Sequence, residues 1–121
     1  MTVKNLPLVV GFISCLATGA NAATGNAFGD TFRVLQGEDD QFGGCMVEVD
    51  PVPAGLDCPG AGTKGWLTLD CVGAYGSKSS ASNRLNAATL ALITKSTVQY
   101  FVDDSRKHNG FCMAFQFRNL R

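Results

Sequence analysis

The sequence is poor in the residues that most chemistry needs. It has one histidine, one tryptophan and two tyrosines in 121 residues. A Ser/His/Asp triad would have to use His108, because the chain holds no other imidazole. The five cysteines contain no C-x-x-C spacing, so a structural zinc site is not expected. Neither sign of charge is in excess, since ten basic residues balance ten acidic ones. That balance excludes the basic footprint of a nucleic-acid binder. No apolar run reaches the roughly 18 residues of a retained membrane helix. With 45% hydrophobic and 17% charged residues the chain is not a disordered tail, and its length allows one domain.

What is present begins with an address. Residues 1–5 are polar and carry Lys4, residues 6–16 are mostly apolar, and residues 18–23 are small and polar. Ala20-Asn21-Ala22 sets small residues at the −3 and −1 positions of a cut before Ala23. This is the anatomy of a secretory signal peptide. An alternative takes Phe12-Ile13-Ser14-Cys15 as a loose lipoprotein cleavage motif with Cys15 as the lipidated first residue. The expectation is a signal peptide over 1–22 and a single domain over 23–121 of a secreted or periplasmic protein. Removal of 22 residues leaves 99 of the 121, with four cysteines and nine basic against ten acidic residues. An even cysteine count in a short exported chain reads as two disulfides. A domain this small buries a modest fraction of its surface and gains much from such staples.

Along the mature chain, residues 23–29 are small and Gly-rich and read as a loose N-terminus. Residues 31–36 read as a strand, with Phe32 and Val34 on one face and Arg33 on the other. Residues 37–44 are a polar loop. Its Glu38-Asp39-Asp40 run lacks the spaced pattern of a calcium loop and reads as solvated. Residues 45–50 alternate, with Cys45, Val47 and Val49 sharing a face. Residues 51–65 hold three prolines and four glycines and form a long loop. Residues 66–72 alternate again, with Leu67, Leu69 and Cys71 on one face. In the Gly/Ser stretch 73–82, Ser80 or Ser82 is placed to cap a helix over 83–94. Leu85, Ala88 and Leu92 form its apolar stripe, and Lys95 follows where the helix dipole favours a cation. Residues 97–103 read as a strand with Val98, Tyr100 and Val102 on one face. Residues 104–110 read as a polar turn in which Asn109-Gly110 suits positive φ. The last strand, 111–118, sets Phe111, Met113, Phe115 and Phe117 against Cys112, Ala114, Gln116 and Arg118.

The cysteine pairing follows from strand parity. If the strands 45–50 and 66–71 pair so that Val49 faces Leu67 and Val47 faces Leu69, Cys45 faces Cys71 and every apolar residue lands on one face. Facing positions of a non-hydrogen-bonded pair are close enough for a disulfide. Cys45–Cys71 is therefore expected, which leaves Cys58 in the long loop for Cys112.

The element order strand-strand-strand-helix-strand-strand is that of the five-stranded OB barrel, mainly β with one helix plugging an end. The alternative is an open sheet with the helix on one face. A small exported barrel of this order, with a cross-strand disulfide and a helix before the fourth strand, resembles the B subunits of AB5 bacterial toxins. The likeness runs from the helix through Lys95-Ser96-Thr97-Val98-Gln99 to the hairpin closing on Phe111-Cys112-Met113-Ala114, the layout of a cholera-toxin-type B chain. The Cys45 and Cys71 strands are similar to the paired-cysteine strands of the subtilase-cytotoxin type. The second disulfide departs from the cholera type, and no sugar-binding motif of the family matches residue by residue. Gly65-Trp66-Leu67-Thr68-Leu69-Asp70-Cys71, together with the stretch from Val102 to Cys112, is also similar to small exported proteins of Gram-negative bacteria. The resemblance implies a binding chain for a cell-surface glycan or a protein, assembled as a homo-oligomer.

Candidate binding residues are Trp66, Tyr75, Lys78, Arg84, Arg106 and Lys107. Trp66 is expected on the outer face of its strand, and the 73–82 loop adds Tyr75, Lys78 and four serines. An aromatic platform ringed by small polar groups is what sugar recognition uses. The plainer reading of Trp66 is packing beneath the Pro/Gly loop. No catalytic residue, metal ligand or cofactor is expected. His108 is read as an exposed turn residue between Lys107 and Asn109, without the surroundings of an oriented base. Pairing of all four mature cysteines leaves no thiol nucleophile. Asp103-Asp104 beside Arg106-Lys107 reads as weak charge pairing at a hairpin tip. The expectation is an exported, non-enzymatic module that binds a glycan or a protein. The alternative is a periplasmic inhibitor or envelope-stress protein that binds another enzyme.

Overall fold

A computed structural model describes residues 23–37 and 40–120. The chain runs β1 (Thr24–Gln36), a short 3-10 turn (Gln41–Gly44), β2 (Cys45–Asp50), β3 (Gly65–Thr68), α1 (Lys78–Thr94), β4 (Val98–His108) and β5 (Phe111–Asn119). The strands close into a barrel in the order β1-β2-β3-β5-β4, with β4 returning to β1. It is the mainly β, five-stranded OB-like barrel with one helix that the element order predicts. The expected signal segment 1–22, with Cys15, and Glu38 and Asp39 of the acidic run lie outside the described residues.

The stretch 23–29 is not loose. Thr24 through Gly29 pair with β4, from Thr24↔Asp103 to Gly29↔Val98. The glycine that suggested looseness serves close packing, because a Cβ on Gly29 would run into the Asp50 carbonyl and the Tyr100 hydroxyl. Tyr100 is fully buried and donates its hydroxyl to the Pro51 carbonyl at 2.6 Å. Its burial pushes the phenol well above its ordinary value.

Cys45, Val47 and Val49 of β2, Leu67 of β3 and the Val98, Tyr100, Val102 row of β4 fill the core as their alternation predicts, with Leu69 just past β3. Both expected disulfides form, Cys45–Cys71 with Cα atoms 5.6 Å apart and Cys58–Cys112 at 5.7 Å. The β2–β3 register differs from expectation by two residues: Val47 faces Leu67 and Val49 faces Gly65. An even shift keeps every side chain on its face, so the core set survives. β3 stops at Thr68. The Leu69 N–H still donates to the Cys45 carbonyl at 3.0 Å. Asp70 then turns the chain with φ +59°, and Cys71 reaches Cys45 from there.

The last strand breaks its own comb. β4 and β5 pair as Tyr100↔Phe117 and Phe101↔Gln116, then as Val102↔Ala114. Phe115 is an extra residue at that step, a β-bulge that inverts parity. Cys112 and Ala114 therefore join Phe117 on the core, while Phe111 and Phe115 do not. The row of Phe111, Met113, Phe115 and Phe117, expected to fill the barrel interior, is corrected in part: Met113 is buried and Phe117 packs on the core, while Phe111 and Phe115 stay partly exposed.

α1 starts five residues earlier than expected. Its N-cap is Ser77, whose hydroxyl accepts from the Ser80 N–H at 3.0 Å, so neither Ser80 nor Ser82 caps it. Ala81, Ala88 and Ala91 are buried against the barrel, with Leu85 packed beside them. The helix ends where Lys95 adopts φ +56° and donates its N–H to the Ala91 carbonyl. β4 runs on to His108, so the expected seven-residue turn shrinks to Asn109-Gly110, both with positive φ.

Candidate functional site

The six nominated side chains are held by different partners. Trp66 lies in a row across three strands, where Arg33 faces Glu48 and Glu48 faces Trp66. The Arg33 guanidinium sits 5.3 Å from the Trp66 ring centroid and bonds Glu48 at 2.9 Å. That bond holds the Glu48 carboxyl below its ordinary value. Lys78 is the first residue of α1 and is exposed. Arg84 donates to the Leu69 carbonyl at 3.1 Å, and its Nε is sealed from solvent without a partner. With Ser80, Asn83, Phe115, Gln116 and Phe117 it lines an open groove between α1 and β5. Arg106 lies 6.0 Å from the Phe115 ring centroid and pairs with Asp103 at 3.2 Å. Lys107 pairs with Asp57 at 3.2 Å.

Tyr75 leads to a cluster that sequence reading missed. Its hydroxyl donates to the Lys107 carbonyl at 2.8 Å, and its ring stands edge-on to His108 at 5.3 Å. His108 is no exposed turn residue: it ends β4, its side chain is 15% exposed, and its Nε2 lies 2.7 Å from Asp70 Oδ1. Asp70 is fully buried and also accepts from the N–H groups of Ala74 and Tyr75 at 3.0 and 2.8 Å. Burial alone would push this carboxyl up. The Tyr75, His108 and Ala74 donors outweigh burial and hold it below its ordinary value. Gly43, with φ +78°, packs so close that a Cβ would meet the Thr68 hydroxyl and the His108 ring. The distance is that of a catalytic dyad. The arrangement, however, spends the carboxylate on the loop it anchors and packs the ring between Tyr75 and Gly43.

A second region centres on an irregularity in β1. β1 pairs with β2 as Thr31↔Val49 and then as Arg33↔Glu48, so Phe32 is an extra, bulged residue. A bulge re-aims its side chain. Here it breaks the expected Phe32/Val34 face and turns Phe32, 40% exposed, toward the last turn of α1. Asp30, Thr31 and Phe32 with Leu92, Lys95 and Ser96 enclose a recess of about 330 Å³. Thr31 is 9% exposed, and its hydroxyl is buried without a hydrogen-bond partner. Lys64 covers the Phe32 ring, with its ammonium 3.9 Å from the centroid. The recess is therefore lined by a carboxylate (Asp30), an ammonium (Lys95), the Ser96 hydroxyl and an apolar wall.

No three or more His, Cys, Asp or Glu side chains among the described residues are grouped to hold a metal ion. No helix among the described residues is long and apolar enough to cross a membrane. No family model, curated protein or solved structure matches the chain.

Proposed function

We propose that the protein is an exported, non-enzymatic binding module that takes a sugar into the recess between the β1 bulge and the end of α1. The observation that carries this reading is the recess itself, where Asp30, Lys95 and Ser96 stand beside a wall of Phe32 and Leu92. A sugar presents both donors and acceptors to Asp30, Lys95 and Ser96, and its C–H face suits the Phe32 and Leu92 wall. The volume, about 330 Å³, lies at the small end of ligand sites. Two disulfides fit an oxidising compartment, in line with a signal-like start. The toxin-subunit resemblance supports glycan binding in the same direction. The test is a glycan array with the exported protein, followed by calorimetry on the best hit. Phe32→Ala is expected to weaken binding tenfold or more, about 1.4 kcal/mol. A wild-type protein that retains no glycan, or a Phe32→Ala variant that binds as well, overturns the proposal.

A protein partner, either an enzyme to be inhibited or further copies of the chain, is the second reading. Leu90 and Ile93 favour it, lying one turn apart on α1 and strongly exposed, Ile93 at 71%. Light scattering on the mature protein reads the second case. A strict monomer counts against toxin-like assembly, and an oligomer that Ile93→Glu dissociates supports it.

A further inference from the structure

We infer that cleavage before Ala23 creates an α-ammonium that pairs with Asp104, so that the processed N-terminus becomes a strut of the barrel. This rests on the export reading and adds to it a structural purpose for the cut. Two independent observations fall on the same peptide bond. In the sequence, Ala20-Asn21-Ala22 places small residues at the −3 and −1 positions of a cut between Ala22 and Ala23. In the fold, Ala23 is already anchored: its nitrogen donates to Asp104 Oδ1 at 2.9 Å, and its carbonyl accepts the Asp104 N–H at 3.0 Å. The β1–β4 ladder begins at the next residue, Thr24↔Asp103.

The chemistry of the cut suits this anchor. Water adds across the Ala22–Ala23 amide, the C–N bond breaks, Ala22 leaves as a carboxylate, and the Ala23 nitrogen takes the proton. An amide with one N–H becomes an ammonium with three, bearing a full charge beside a carboxylate. Asp104 is prepared for it. Its other oxygen accepts the Asp57 N–H at 3.0 Å, and Asp57 in turn holds Lys107 at 3.2 Å. Asp57 precedes Cys58, whose disulfide reaches Cys112 of β5. The ammonium thus joins the network that ties the long loop to the β4–β5 hairpin. The charged groups around it are Asp104, Asp57 and Lys107, with the Asp103–Arg106 pair on the same strand.

The test uses the full chain expressed in an exporting bacterium. Intact mass and N-terminal sequencing of the purified product are expected to give a chain that begins at Ala23. A different first residue, or a lipid on Cys15, overturns the cut. On protein that begins at Ala23, the α-amine is acylated near neutral pH in wild type and in Asp104→Asn. Pairing raises the amine above its ordinary pKa of about 8, so wild type is expected to label severalfold more slowly than the variant. Added salt should narrow the gap. Equal rates overturn the ion pair and leave the cut standing. NMR titration of the α-amine in wild type asks the same question without a variant: a midpoint at or below about 8 overturns the pair. Neither result depends on whether the recess binds a sugar.

Discussion

The region around Asp70 and the region around the β1 bulge treat buried polar groups in opposite ways. Asp70 accepts three hydrogen bonds, and Tyr75 uses both its ring and its hydroxyl. The Thr68 hydroxyl donates to the Phe42 carbonyl at 2.7 Å and accepts from the Asp70 N–H at 3.2 Å. At the bulge, the Thr31 hydroxyl is buried with no partner, and Phe32 remains half in solvent. A buried polar group left unpaired costs stability, so native chains keep few of them. Complete pairing marks the side chains that hold the fold. The unpaired Thr31 hydroxyl is stability that the fold forgoes beside the recess.

The comparison is tested most severely through the staples on the first side. Cys58–Cys112 closes a separation of 54 residues and Cys45–Cys71 one of 26. In the chain-entropy account, removing the longer link costs about 4 kcal/mol and the shorter about 3.5 kcal/mol. Urea unfolding of the two double Cys→Ala variants is expected to follow that order, with sugar binding kept wherever the protein stays folded. The reverse order would mean that packing of Cys45 in the core, rather than loop closure, dominates.

Asp70→Ala comes next, with an expected loss of about 3 kcal/mol. It leaves two loop N–H groups and the His108 ring without their shared acceptor. The same carboxyl sets an acid limit. Its pKa is lower in the folded chain than the unfolded value near 3.9. It therefore binds fewer protons when folded, and its contribution is complete above that unfolded value. The contribution is lost as pH falls through the folded value. Urea midpoints should drop below pH about 4 in wild type and fall less steeply in Asp70→Asn. Equal slopes would remove Asp70 as the source.

Much of the fold was legible because alternation survives error. The β2–β3 register differs from the sequence expectation by two residues, yet parity keeps Val47, Val49 and Leu67 inside, while the turn at Asp70, not strand pairing, brings Cys71 to Cys45. Bulges were not legible: the apolar pattern runs through Phe32 and Phe115 unbroken, and only the partner strands reveal an extra residue. The serine-rich stretch before α1 offered several caps, and sequence alone could not select Ser77. The site was less legible than the fold. Asp70 and His108 are 38 positions apart, and the stop of β3 at Thr68 that frees Asp70 for His108 leaves no mark in the pattern. Asp30, Thr31 and Phe32 meet Leu92, Lys95 and Ser96 only through tertiary packing. The one local signal is a large aromatic, Phe32, in the first strand.

Thr31→Val gives the smallest effect and the opposite sign. The substitution keeps the shape of the side chain, suits a strand, and replaces a buried hydroxyl that has no partner. It should raise stability by about 1 kcal/mol in urea unfolding. It should leave sugar binding unchanged, because the hydroxyl is sealed from the recess. On the Asp70 side the loss of the shared carboxylate destabilises. On the bulge side this loss stabilises, because nothing in the protein pairs the atom that is removed. A Thr31→Val variant that unfolds more easily would mean that the hydroxyl finds a partner in the free protein, and the contrast between the two regions would collapse.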